Sequence, residues 1–255
     1  MDRNMRRTLD LFLMFTGREI TLKYKRSYLG FIWSLMNPIL TALVFFVAFK
    51  LFMRFEIEDY TLFMLSALFP WTWFSASVSM CIHSLTGNIS LIKKIIFPKR
   101  LLVVSVITGQ MVTLLISIPI LAVLLYYYGK SPYLSWLYII PILLTVQFFI
   151  ILGISMALAM LNAYFRDMEH ITNVTLNMLF WMTPVMYPLA MVPEKYRIFL
   201  AMNPMTYLIQ SWRDVIMTGR VNWVNVLIAA VTAAVCMLLG SFIFAVKDKK
   251  LDEVL

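Results

Sequence analysis

The feature that most constrains this chain is a series of long apolar runs, near 31–52, 60–84, 101–128, 136–164, 171–189 and 221–246, each bounded by charge, glycine or proline. A continuous apolar run of roughly 20 residues satisfies its backbone inside hydrocarbon only as a helix. The runs do not alternate with polar residues, so the strands of a membrane barrel are excluded. With 62% hydrophobic and 14% charged residues, no water-soluble fold hides this much apolar surface. The expected fold is an all-α polytopic membrane protein: one transmembrane domain over 1–255, with six transmembrane helices.

Charge orients the spans. Of the Lys and Arg residues, fifteen fall in segments on one side of this pattern and seven on the other. Cytoplasmic loops carry the excess of Lys and Arg, so both termini are expected inside. The same topology accounts for the net charge of +9 without nucleic acid. Cys81 and Cys236 lie in apolar runs without paired spacing, which indicates neither a disulfide framework nor a metal site. The early apolar run 11–15 is short, bordered by charge and followed by no small-residue cleavage pattern, so no cleavable signal peptide is expected.

The basic segment 1–28 carries Met5, Leu9, Phe12, Thr16, Ile20 and Tyr24 at spacings of three and four. That pattern predicts an amphipathic helix lying at the membrane surface. Leu29-Gly30 then provides a sharp turn into the first of the two spans in 31–84. The inner loop 88–100, NISLIKKIIFPKR, holds Lys93, Lys94, Lys99 and Arg100 and no acid. Its Leu91, Ile92, Ile95, Ile96 and Phe97 recur at helical spacing and form one greasy face beside a basic one. The loop reads either as a docking element for a cytoplasmic partner or as a basic anchor on anionic lipid. Three spans occupy 101–189. In the outer segment 190–220, Pro193 opens a helix over 194–202, Asn203-Pro204 ends it and starts another, and Gly219 stops the second after Thr218. Both are too short to span, and a pair dipping back into the outer leaflet fits them. The last span, 221–246, precedes a cytoplasmic tail, 247–255.

Few residues offer chemistry. Asn173, Asn177, Trp181 and Pro184 share one helical face of the fifth span, and Tyr187 and Pro188 continue it outward. Such a face reads either as polar glue between helices or as the wall of a wet passage, where aromatic rings stack on sugars. Trp33, Ser34, Asn37 and Pro38 stand near the inner end of the first span, just after Arg18, Lys23, Lys25 and Arg26. Those cations attract either anionic lipid in general or one diphosphate-bearing lipid. Asp167, Glu169 and His170 follow span four, either as a charged turn that stops the span or as acid, base and metal ligands. No nucleophile motif, Gly-rich phosphate loop or Rossmann fingerprint occurs, so no ATP site is expected in this chain.

Five stretches, YKRSYLGFIWSLMNPIL, NISLIKKIIFPKR, YFRDMEHI, FWMTPVMYP and NPMTYLIQSWRD, taken in this order, resemble the permease subunits of type-2 ABC exporters. The likeness is strongest to permeases for lipid-linked O-antigen polysaccharide, with capsule and teichoic-acid permeases next. The resemblance implies a multi-pass homodimer in the inner membrane, working with two separate ATP-binding subunits that hold the ATP and Mg. It makes the 88–100 loop a coupling helix, with Leu91, Ile92, Lys93, Lys94, Ile95 and Phe97 at the ATPase. It makes Trp33, Asn37, Asn173, Asn177, Trp181 and Tyr187 candidate polysaccharide contacts. Lys25, Arg26 and Gly30 would then stand at the entrance for the lipid diphosphate, and 194–218 would hold the two outer re-entrant helices. The expected function is export of undecaprenyl-linked O-antigen polysaccharide. The rivals are another cargo (capsule, teichoic acid or a small molecule), a membrane enzyme for lipid-linked sugars centred on Asp167, Glu169 and His170, and a non-catalytic scaffold.

Overall fold

The computed structural model describes residues 3–24, 32–54, 56–165, 167–248 and 251. Among the described residues every regular element is helical. Helix α1 (Arg3–Tyr24) lies along α5 (Arg100–Tyr127). Its anchor is Phe15, only 2% exposed, whose ring meets Phe97 at 5.4 Å. Gly109 of α5 has no side chain, and a Cβ there would touch Glu19 and Ile20, so α1 leans inward on that side. The expected apolar stripe is therefore turned about the helix axis. Leu11, Phe15, Thr16 and Ile20 face the protein, while Met5 and Leu9 are exposed.

Helix α2 (Ile32–Phe45) runs on as a π-helix over Phe46–Phe52. Helix α3 (Tyr60–Cys81) is the hub, buried along most of its length against α2, α5, α6 (Trp136–Tyr164) and α9 (Pro204–Thr218). The loop after it forms α4 (Ile89–Lys94). Among the described residues four helices have the length and composition to cross a membrane: α3, α5, α6 and α10 (Trp223–Asp248). A shorter apolar helical stretch, Met36–Phe52, accompanies them.

The fifth apolar run behaves differently from the expectation. Helix α7 (Met168–Met182) stops well short of residue 189, and Thr183 turns to extended backbone. The cause is Pro184, which disfavours helical angles at the residue before it, followed by Pro188 four residues later. Asn177 and Trp181 therefore share a face, but Pro184 and Tyr187 do not continue it as helix. The 88–100 loop differs in the same way. It is helical only to Lys94, and Ile95 is extended, so Ile95, Ile96 and Phe97 leave the helical face.

Helix α6 crosses α10 with almost no gap. A Cβ at Gly153 would overlap the Cys236 backbone, and one at Gly240 would overlap the Gly153 carbonyl. The opposite face of α10 exposes Leu227, Val231, Leu238 and Phe242, as a helix bordering lipid does. A single buried amide ties three helices together: Gln147 of α6 donates to the Pro70 carbonyl of α3 at 2.8 Å and accepts from Trp212 of α9 at 2.7 Å.

Side-chain bonds gather the helix ends into two poles. At one, Lys130 pairs with Asp59 at 2.7 Å, Trp136 donates to the Val215 carbonyl and Ser135 to the Gly219 carbonyl. Helix α8 (Glu194–Ala201) and α9 are at this pole, with Asn203 capping α9 through Met205 N and Gly219 ending it at φ 68°. The two short helices appear as the sequence implies, but they differ in depth: α9 buries most of its length, α8 only Leu200. At the other pole are α4, the Lys99–Asp248 pair at 3.2 Å and the Tyr164 bond to the Lys247 carbonyl.

Candidate functional site

The α4 pole presents a small basic and apolar surface. Ile92 is buried and Leu91 half-buried, which seats α4 on the protein. Lys93, Lys94 and Ile95 point outward, and Ile96 is 94% exposed. Phe97 is taken up by its contact with Phe15 of α1. Thus α1 covers part of the expected greasy face, and Ile95 and Ile96 with two lysines remain. Arg18 of α1 donates to Asn88 at 2.8 Å, and Asn88 donates to the Ser84 carbonyl at 2.9 Å. The loop is bonded both to α1 and to the end of α3.

The second surface is the face of α7. This helix buries only Thr172 and Leu176 among its residues, a sparse anchorage compared with α3. Asn173, Asn177 and Trp181 are all exposed along it. Ser79 of α3 donates to Asn173 at 3.1 Å. Trp71, Ser75, Asn177, Phe180 and Trp181 line an open trough of about 390 Å³. Aromatic rings crowd one end of it: Phe180 lies 5.6 Å from Trp71 and from Trp181, and Phe45 of α2 lies 6.4 Å from both Phe180 and Trp181. Tyr187 is half-buried and donates to the Trp181 carbonyl at 2.9 Å, so it closes the end of α7.

Trp33 and Asn37 do not join this trough. They line a separate cleft of about 230 Å³ with Phe69, Trp73, Ala76 and Met80 of α3 and Gln110 of α5. At roughly 100° per residue, Trp73, Ala76 and Met80 lie on the far side of α3 from Trp71 and Ser75. The two polar groups expected to face one passage are therefore divided by α3 within this chain. Lys25, Arg26 and Gly30 lie outside the described residues.

The turn between α6 and α7 holds the other charged cluster. Glu169 Oε1 lies 3.3 Å from His83 Nε2, while His170 is exposed and Asp167 precedes α7 as its N-cap residue. Among the described residues no group of three His, Cys, Asp or Glu is placed to hold a metal.

The residue that sequence reasoning passed over is Arg213. It is 7% exposed, and its Nη2 donates to the Pro184 and Val185 carbonyls at 2.7 and 2.8 Å. Its guanidinium stacks 3.7 Å over the Phe63 ring. Tyr60 donates to the Met186 carbonyl, and Asn203 to Thr183 at 2.8 Å. Together these groups clamp the extended strap that follows α7. The signal was present in the sequence: Arg213 stands beside Trp212 on the apolar side of a helix that also bears Ile209 and Ile216.

The comparisons bear on the whole chain. The family model described as ABC-2 type transporter matches residues 10–217. An O-antigen export system permease protein RfbA of Klebsiella pneumoniae is 34% identical over 255 residues, 100% of this chain and 98% of that protein. RfbA of Myxococcus xanthus is 32% identical over 247 residues, 95% of this chain and 94% of that protein. The polysialic acid transport protein KpsM of Escherichia coli is 22% identical over 209 residues, 80% of each.

Proposed function

The chain belongs to the ABC-2 type transporter family, and we propose that it is the permease that moves a lipid-linked O-antigen polysaccharide outward across the inner membrane. It is a multi-pass membrane component of a transporter and not itself an enzyme. The observation that carries the cargo is the likeness to O-antigen export permeases along the entire chain. The likeness to KpsM favours a capsular polysaccharide as the second reading.

In this reading ATP and Mg are held by two separate subunits, and two copies of the chain pair in the membrane. The α4 pole is cytoplasmic and α8 and α9 dip into the outer leaflet. Six crossings result when α2 with its π-helical extension, and α7 with its strap, join the four longer helices. The coupling surface consists of Lys93, Lys94, Ile95 and Ile96, seated by Leu91 and Ile92, with Phe97 docking α1. Asn173, Asn177 and Trp181 line the glycan path, where rings stack on sugar faces and amides bond hydroxyls. Tyr187 holds the end of α7, and Trp33 and Asn37 serve a separate cleft near the inner leaflet. Lys25, Arg26 and Gly30 receive the lipid diphosphate.

The test is to purify the chain with its ATP-binding partner in lipid nanodiscs and measure ATP turnover with and without undecaprenyl-linked O-antigen. Stimulation by that glycan, and not by lipid-linked capsular glycan, is expected. Equal indifference to both removes the cargo assignment.

A further inference from the structure

Helices α3 and α7 run antiparallel, and facing residues form a ladder, with steps of four along α3 and into the turn just past it and steps of three or four along α7. Trp71 meets Phe180, Ser75 lines the trough with Asn177, Ser79 bonds Asn173, and His83 meets Glu169. Steps of three and four set successive rungs next to one another along the seam, and the last, His83, lies in the turn just past α3. The rungs change in character along the seam. The outer one is aromatic, while the two inner ones are polar and partly exposed, and such links are individually weak.

The two ends of α7 are held very differently. Beyond Met182 the strap is gripped by buried Arg213, Tyr60 and Asn203. At its start, among the described residues, His83 reaches Glu169 across a gap of 3.3 Å. His83 is also the last rung before the α4 loop: its carbonyl accepts from Gly87 N at 2.8 Å, and Asn88 bonds the Ser84 carbonyl and takes a bond from Arg18. Displacement of α4 or α1 therefore reaches His83 through a short, bonded path.

We propose that the His83–Glu169 contact is the clasp through which movement of the α4 loop is passed to α7, which pivots on the Arg213 clamp and parts from α3 along the polar rungs. This inference rests on the reading of the chain as an ATP-driven permease. His83 and Glu169 are positioning residues: they touch no cargo and act by placing Asn173, Asn177 and Trp181.

The experiment uses the complex with its ATP-binding partner and reads two quantities, glycan exported and ATP hydrolysed. His83→Ala and Glu169→Ala are expected to lower export per ATP by about fivefold or more while the complex still assembles and hydrolyses ATP. The exchanged pair, His83→Glu with Glu169→His, is expected to recover most of the loss. Ser79→Ala, which breaks the next rung and leaves the glycan-path residue Asn173 in place, repeats the measurement in case a clasp variant fails to assemble, with a smaller loss of export per ATP expected. Unchanged export per ATP in the assembled variants, or an exchanged pair no better than the single ones, overturns the clasp. A wild-type complex that exports no glycan overturns the transport reading instead, so the two failures are distinct.

Discussion

A guanidinium taken out of water has to be met by oxygens, and at Arg213 they are the Pro184 and Val185 carbonyls, freed where α7 gives way to extended backbone. Removing the side chain leaves those carbonyls buried without a donor. Arg213→Ala is expected to cost about 2–5 kcal/mol, read as a lower unfolding temperature of the purified chain. Arg213→Lys should recover only part, because one ammonium does not reproduce the planar fork over Phe63. A lysine variant as stable as wild type contradicts this account. Glu19 poses the opposite problem. Burial holds its carboxyl above the ordinary range, and nearby Arg18 only partly offsets the effect. An acid whose folded pKa is raised favours the fold below its unfolded pKa, and that contribution is lost as pH rises through the folded value. Glu19→Gln should therefore raise the unfolding temperature at pH 7, with the difference vanishing below about pH 4. A difference that is the same at both pH values rules out burial as the cause.

Between elements, glycine decides how closely backbones approach. At the α6–α10 crossing a side chain on Gly153 or Gly240 meets backbone atoms, which have no rotamer by which to escape. Gly240→Ala is expected to destabilise the chain by about 3 kcal/mol, because the helices must separate. Gly17 of α1 has open space around it, and Gly17→Ala should add about 0.5–1 kcal/mol by the helix preference alone. Thermal unfolding of the two variants in the same detergent checks the contrast, and shifts of equal sign count against it. The 88–100 loop shows the same principle of competition between surfaces. Helical spacing placed Leu91, Ile92, Ile95, Ile96 and Phe97 on one face, but the ring of Phe15 takes Phe97 and the helix ends at Lys94.

For the whole molecule the consequence is a division of labour between two poles. The α4 pole carries exposed cations and Ile96, while the α8–α9 pole carries the strap and its clamp. Reversing Lys93 and Lys94 to Glu is expected to abolish co-purification of the ATP-binding partner, or to cut its glycan-stimulated turnover about tenfold. Wild-type values in both measurements leave the surface as a lipid anchor.

The chain by itself determined that helices would form, where most begin and end, and on which side the charge gathers. Apolar length, proline, glycine and an Asn cap act locally, and the boundaries of α6 and α9 follow from them nearly residue by residue. Tertiary structure alone decided which sides of those helices meet. Trp33 and Asn37 fell on the far side of α3 from Asn177 because packing sets rotation about a helix axis. Arg213 became a clamp because carbonyls from a segment some 29 residues earlier converge on it, a pairing that local periodicity does not encode.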